Sequence, residues 1–395
     1  MKKLLLIISL LLLPTWMCAD TINFNLNGVL YNLYTDSRSA ELTGLYNKNF
    51  PKTVNIPQVI EYKGIEYTVT SIGNNAFYEC PGLTEVTIPE TVTSIGERAF
   101  FRCEALVSVS LPSSLTTIPD EAFRYCNHLP TLQLPNSLIS IGTFAFDGCS
   151  RLSSIEIPNT VNTIGLGAFS STGIVSITLP SSLKTIEKML FNYCHSLESV
   201  TIPSGVTKIG DHAFYSCFNL KSLTIPNSVE RIKHDAFNGC SKLESLVIPN
   251  SVKEIGGYAF AHCTNLTTIY IPSSVTVINE GLFWKCESLK DIYYYSEVVP
   301  NTSVDAFEYY NNKDATLHVP AQSIGYYQSS SLWGEFGNIV ALTEEEIAMD
   351  VINLPFDEVR EVGRFSLDGK RVTPSYQGLV VIKYNDGTTR KIIVR

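Results

Sequence analysis

Ile72-Gly73-Asn74-Asn75-Ala76-Phe77-Tyr78-Glu79-Cys80-Pro81-Gly82-Leu83-Thr84-Glu85-Val86-Thr87-Ile88-Pro89-Glu90-Thr91-Val92 decides the fold, because its apolar skeleton returns every 23 residues. A phenylalanine column runs from Phe77 and Phe100 through to Phe260 and Phe283, and a proline column runs from Pro89 to Pro272. One repeat is short: Phe169 to Phe191 spans 22 residues, with the loss inside Ser170-Ser171-Thr172-Gly173-Ile174. A period of this length marks a solenoid.

Within a repeat, Val86 and Ile88 alternate as on a strand, and Pro89 ends it because proline donates nothing to a ladder. Val92 to Ile95 reads as a second short extended piece. Gly96 is expected to permit a tight turn into a brief helical turn carrying Ala99 and Phe100. One repeat buries too little apolar surface to fold alone, whereas stacked repeats merge their columns into one core. At a strand spacing of about 4.8 Å, ten repeats make a stack roughly 48 Å long.

Such a stack needs ends. Asn27-Gly28 lies between Ile22–Leu26 and Val29–Tyr34, a strong hairpin signal, and Lys63-Gly64 centres a second hairpin that feeds Ile72. After Leu289 the pattern degrades. Tyr293-Tyr294-Tyr295 replaces the usual strand, Thr316–Val319 is expected to be the last one, and Trp333 and Phe336 are expected to cover the end. The organisation is therefore a signal peptide at 1–19, an N-terminal β-hairpin cap at 20–71, ten repeats at 72–292 and a closing cap at 293–341. A linker with a short strand follows at 342–356, then a small all-β module at 357–395 with turns at Asp368-Gly369 and Asp386-Gly387.

Ile209 to Val229 carries the signature Ile-Gly-x-x-Ala-Phe-x-x-Cys-x-x-Leu, then an aliphatic pair around Thr224, Pro226 and Ser228-Val229. This resembles the BspA-type leucine-rich repeats of bacterial surface proteins over about residues 25–340. The resemblance implies a β-rich right-handed leucine-rich-repeat solenoid of the α/β repeat class, acting in adhesion or host contact. Asp368-Gly369-Lys370-Arg371-Val372, Gly378-Leu379 and Lys391 to Arg395 resemble the sorting modules of Bacteroidetes type IX secretion cargo, although Val380 stands where a tyrosine is usual. A purely structural tail is the other reading.

Charge narrows the partners. The formal net charge is −9, and removing 1–19 takes Lys2, Lys3 and no acid, which leaves −11. An acidic surface repels phosphate backbones, so nucleic acid is not an expected partner. Lys2-Lys3, the apolar run Leu4–Leu13, Pro14 and Ala19 read as an export signal. Cys18 leaves open a lipidated alternative, and membrane contact is expected only through surface anchoring or that lipidation. The expected location is secreted, outer-membrane or cell-surface, as a monomer.

The nine repeat cysteines, Cys80 to Cys286, share one column, so parallel Cα–Cβ vectors hold neighbours about one rung apart, beyond disulfide reach. They read as structural thiols, with disulfide or metal roles as the alternatives. The repeat histidines occupy different columns and are not expected to form a shared face. No GxSxG, HExxH, CxxC or phosphate-cradling loop occurs, so neither catalysis nor a metal or other cofactor is expected.

The outward strand positions are more informative. One column reads Thr87, Ser110, Gln133, Glu156, Thr178, Thr201, Thr224, Val247, Tyr270, Tyr293. Its neighbour reads Glu85, Ser108, Thr131, Ser154, Ser176, Ser199, Ser222, Ser245, Thr268, Asp291. Hydroxyls suit a solvated sheet, yet solenoids also recognise ligands on such faces. Tyr270, Tyr293, Thr224, Thr201 and Glu156 are the candidate binding residues, for an extracellular protein or glycan. A second stripe, Tyr78, Phe101, Tyr125, Tyr193, Tyr215 and Trp284, reads as packing over the turns. The competing functions are a passive structural surface-layer protein and a hydrolase using a pocket in a cap.

Overall fold

The computed structural model describes residues 21–47, 52–310 and 312–347 in full, and the backbone alone of 348–350, 361–366, 371–372, 378–384 and 389–394. The segment 1–19 with Cys18, and the turns at Asp368-Gly369 and Asp386-Gly387, lie outside the described residues.

About 12 turns of chain stack into a β-solenoid with little helix. Each repeat has three segments. The first is a short strand such as Glu85–Thr87, Ser199–Thr201 or Thr268–Ile271, paired in parallel with the next repeat, so that Glu85 faces Ser108 and Tyr270 faces Tyr293. The second is a two-residue strand such as Ser94–Ile95 or Thr117–Ile118.

The third segment departs from the expected helical turn. Ala99 N donates to Gly96 O and Cys103 N to Phe100 O as chained β-turns, while Arg98, Phe100 and Arg102 donate forward to Asp120, Ala122 and Arg124 of the next repeat. A helix would have consumed those amides internally. Left-handed residues prevent it: Arg98 has φ 54° and Arg102 φ 56°, a pair that recurs along the stack without glycine in most repeats. The backbone cost of that conformation is offset by a third hydrogen-bonded ladder.

Gly96 also works differently from expectation. Its φ is not left-handed; a Cβ there would stand 2.4 Å from the amide nitrogen of Asn74 in the preceding repeat. The glycine allows two rungs to touch.

Inside, the phenylalanines stack face to face, as Phe100 and Phe123 do at 5.0 Å and 3°. The column continues one step past the 23-residue register to Phe307, 6.3 Å from Phe283. The nine repeat cysteines are buried and form no disulfide. From Cys103 onward their thiols donate to phenylalanine carbonyls one repeat back, Cys126 to Phe100 at 3.2 Å and Cys149 to Phe123 at 3.0 Å, whereas Cys80 donates to Tyr78 O at 3.9 Å. Thr172 occupies the cysteine slot of the short repeat. Its hydroxyl donates to Phe169 O at 2.8 Å and lies 3.3 Å from Cys194 Sγ. Beside it the chain presses so close that a Cβ on Gly173 would come within 2.4 Å of Ser150 O.

At the N-terminal end, Thr21–Leu26 pairs with Val29–Tyr34 around Asn27-Gly28, and Val59–Tyr62 pairs with Ile65–Ile72 around Lys63-Gly64. All four turn residues have positive φ, the requirement of a tight two-residue hairpin. Ile72 then pairs with Ile95 and starts the stack.

At the other end, Asp291–Tyr294 remains an ordinary rung, and Asn338–Ala341 adds a strand beyond Thr316–Val319, which is therefore not the last. Trp333 is fully buried, stacks on Tyr294 at 5.5 Å and donates from Nε1 to Thr302 Oγ1 at 2.8 Å. The short helix α1 (Ile324–Gln328) carries Tyr327, whose ring edge meets Trp333 at 5.6 Å. Within the described part of the expected linker, α2 (Glu344–Asp350) begins with a reciprocal cap. Thr343 N donates to Glu346 Oε2 at 2.7 Å, and Glu346 N donates to Thr343 Oγ1 at 3.2 Å. The backbone of the final module forms a four-stranded antiparallel sheet.

Candidate binding face

Strand alternation decides which side chains leave the core. Val86 is buried between exposed Glu85 and Thr87, and Val200 between exposed Ser199 and Thr201. Repetition sets these outward residues into two parallel columns, and between Glu85 and Asp291 neither column contains Lys, Arg or His.

The sheet under the columns is interrupted. Between Ser108–Ser110 and Ser176–Thr178 its pairing is reduced to one isolated bridge, Thr131 to Ser154. The second sheet breaks between Ile164 and Thr185, across the short repeat. Over this stretch a groove of about 1090 Å³ opens, lined by four rungs, from Thr131 and Gln133 to Ser199 and Thr201. Hydroxyls and the amides of Gln133, Asn136 and Asn159 dominate the polar lining, and Glu156 is its single charged residue.

The five candidate residues do not form one site. Glu156 and Thr201 line the groove, and Thr224 stands one rung beyond it. Tyr270 and Tyr293 lie further along, stacked at 4.5 Å and 15°. A third ring joins them: His318 stacks on Tyr293 at 4.0 Å, and its Nε2 lies 3.1 Å from Asp291 Oδ1. Sequence reasoning missed His318 because it falls 25 residues after Tyr293, outside the repeat spacing. The Tyr293 hydroxyl is pushed up to about 12, first by desolvation and then by Tyr270 and the Glu346 carboxylate of α2 beside it. Both tyrosines are therefore half-buried and partly overlain by the segment that follows the cap.

On the turn side, the expectation that the histidines share no face fails for one pair, His212 and His234. His234 Nδ1 lies 2.5 Å from Asp235 Oδ2, and His212 Nε2 lies 3.4 Å from the same oxygen. The two rings are 6.2 Å apart. His212 and Asp235 occupy equivalent left-handed positions of adjacent repeats, so stacking brings His212 onto the carboxylate that His234 flanks in sequence. Among the described residues no group of three or more His, Cys, Asp or Glu side chains is arranged to hold a metal ion. The aromatic stripe packs over the turns as read: Tyr78 stacks on Phe101 at 5.0 Å, and the Tyr125 ring covers Gly148.

Comparison with known proteins places these features in context. The profile described as BspA type Leucine rich repeat region matches residues 45–142, 70–198, 116–225 and 207–331. A leucine-rich repeat protein from Bacteroides ovatus ATCC 8483 is 28% identical, with a TM-score of 0.61 over 80% of this chain and 90% of that one. A leucine rich cell surface protein from Faecalibacterium prausnitzii A2-165 shares the fold at 23% identity and TM-score 0.51, over 85% of this chain and 99% of that one. No curated protein matches the chain.

Proposed function

Because the chain belongs to the BspA-type leucine-rich-repeat family, we propose that it is displayed at or beyond the cell surface and captures an extracellular ligand on the outward face of its first sheet, without catalysis. The observation that carries this reading is the groove over Glu156 and Thr201, a polar trough of about 1090 Å³ on that face. Solenoids present extended recognition surfaces of this kind because each rung contributes one short row of side chains. The description of the Faecalibacterium relative as a cell surface protein is in keeping with the location. The sheet at 361–394 serves, in this reading, as the sorting tail.

Two experiments test the proposal. Antibody labelling and protease shaving of intact cells should detect the full-length protein outside, and deleting 357–395 should retain it within the cell. Purified full-length protein, screened against host matrix proteins and a glycan array, should give a saturable partner that is lost with Thr201→Lys. A folded protein that binds nothing, or one never exposed on cells, sinks the reading.

A further inference from the structure

We infer that the groove takes a linear, uncharged polysaccharide lying along the solenoid axis, with one sugar ring over each rung. This rests on the binding reading above and gives its ligand a chemical class. Three observations support it.

The first is spacing. Where the groove's rungs pair, Thr131 with Ser154 and Ser176 with Ser199, they repeat at about 4.8 Å, and a 1,4-linked pyranose advances by roughly that distance per sugar. Successive rings therefore stay close to successive paired rungs, each turned about the chain axis relative to the last. An extended peptide places side chains on one face roughly 6.6 Å apart and drifts out of step within a few rungs.

The second is lining chemistry. Each of the four rungs offers at least one hydroxyl at its strand: Thr131, Ser154, Ser176 with Thr178, and Ser199 with Thr201. Hydroxyls both donate and accept, which matches the mixed donors and acceptors around a sugar ring. Gln133, Asn136 and Asn159 add amides with the same dual capacity.

The third is charge. Glu156 is the only charged residue in the groove, and neither outward column supplies a cation from Glu85 to Asp291. A uronate or sulfate chain would find no counter-charge and would meet a carboxylate. A neutral chain meets hydrogen-bonding groups set among apolar ones such as Leu132, Ile155 and Ile177, and Glu156 accepts from its hydroxyls. The Tyr270–Tyr293–His318 stack stands on the same face, three rungs past the groove, where a longer chain would pass over it.

The test uses full-length protein and neutral β-linked glucan, xylan, mannan and chitin oligomers, from disaccharide to octasaccharide. Oligogalacturonates of the same lengths and a panel of matrix proteins run alongside. The expected result is binding of at least one neutral series, tightening with each sugar until the four-rung groove is filled and only weakly beyond. Glu156→Gln should weaken it roughly tenfold, the worth of one hydrogen bond to a charged group. Ser176→Lys should abolish it, with Thr201→Lys as the second blocking variant and Ser108→Lys, outside the groove, as the control.

Equal or tighter binding of the acidic series, or affinity indifferent to length, overturns the inference. So does a matrix protein that binds through Ser176 and Thr201 while no sugar does, although that outcome leaves the surface-capture reading standing. Folded protein that takes neither sugar nor protein removes both.

Discussion

The thiol of Cys103 donates to the carbonyl oxygen of Phe77, 3.1 Å away in the preceding repeat. That contact recurs along the column as a second donor to carbonyls such as Phe100 O, which also accepts from Cys103 N, so the cysteines act as small hydrogen-bonding hydrophobes. Cys103→Val should remove this hydrogen bond and cost about 0.5–1.5 kcal/mol. A lower urea midpoint with an unchanged m-value is the expected observation, and an unchanged midpoint would show that the contact contributes nothing.

The same thiols should make the fold sensitive to alkali. Burial pushes Cys194 up to about 11 and Cys286 up to about 12. In the unfolded chain a thiol titrates near 8.5. The native state thus binds more protons above that pH, and the stability from each thiol, complete below it, drains away as pH rises towards the folded values. Urea midpoints should stay level from neutrality to about pH 8.5 and fall steadily above it. A midpoint that holds to pH 11 contradicts this, as does fast labelling of the native protein by a thiol reagent.

Gly96 tests the close approach of rungs. Gly96→Ala forces a methyl against the Asn74 backbone, and overpacking of this kind typically costs about 1–3 kcal/mol. Gly325, in α1, has nothing within 4 Å of its ideal Cβ. Gly325→Ala should be neutral or slightly stabilising, since alanine is the better helix former. Thermal melts of the two variants should separate clearly; equal values would deny the steric account.

Trp333 seals the last rung against Tyr294, Phe307 and Tyr327. Trp333→Ala should cost about 3–5 kcal/mol. In a stack held by neighbours, that loss should appear first as faster amide exchange over Thr316–Ala341, with the repeats near Phe100 protected as before. Uniform acceleration along the whole chain would argue that the cap is not a local seal.

The repeat, its core columns and both N-terminal hairpins were legible because each rests on a residue type with one dominant use at that place, such as Asn27-Gly28 or the phenylalanine column. The turn was not. Arg98 and Arg102 adopt left-handed backbone that no local preference announces, because the ladder to Asp120 and Arg124 fixes it from the next repeat. The helix α2 was missed although Thr343 and Glu346 spell its cap. At the candidate site, the outward columns could be read from alternation, but the groove could not, since it depends on where pairing lapses between Ser110 and Ser176. The meetings of His318 with Tyr293, and of His212 with His234, depend on register across turns of unequal length or offset position.

The residue missing between Phe169 and Phe191 has a mechanical side. Both sheets break around it, and rungs there are tied mainly by turn amides, Phe169 N to Leu190 O and Ser171 N to Asn192 O. A shaft is most compliant where its ties are fewest, and the short repeat is one such place, as is the step from Ile95 and Ser110 to Thr117 and Thr131. On the surface-capture reading, shear would bend this shaft beside its groove, and a polymer seated across the gap would act as a splint.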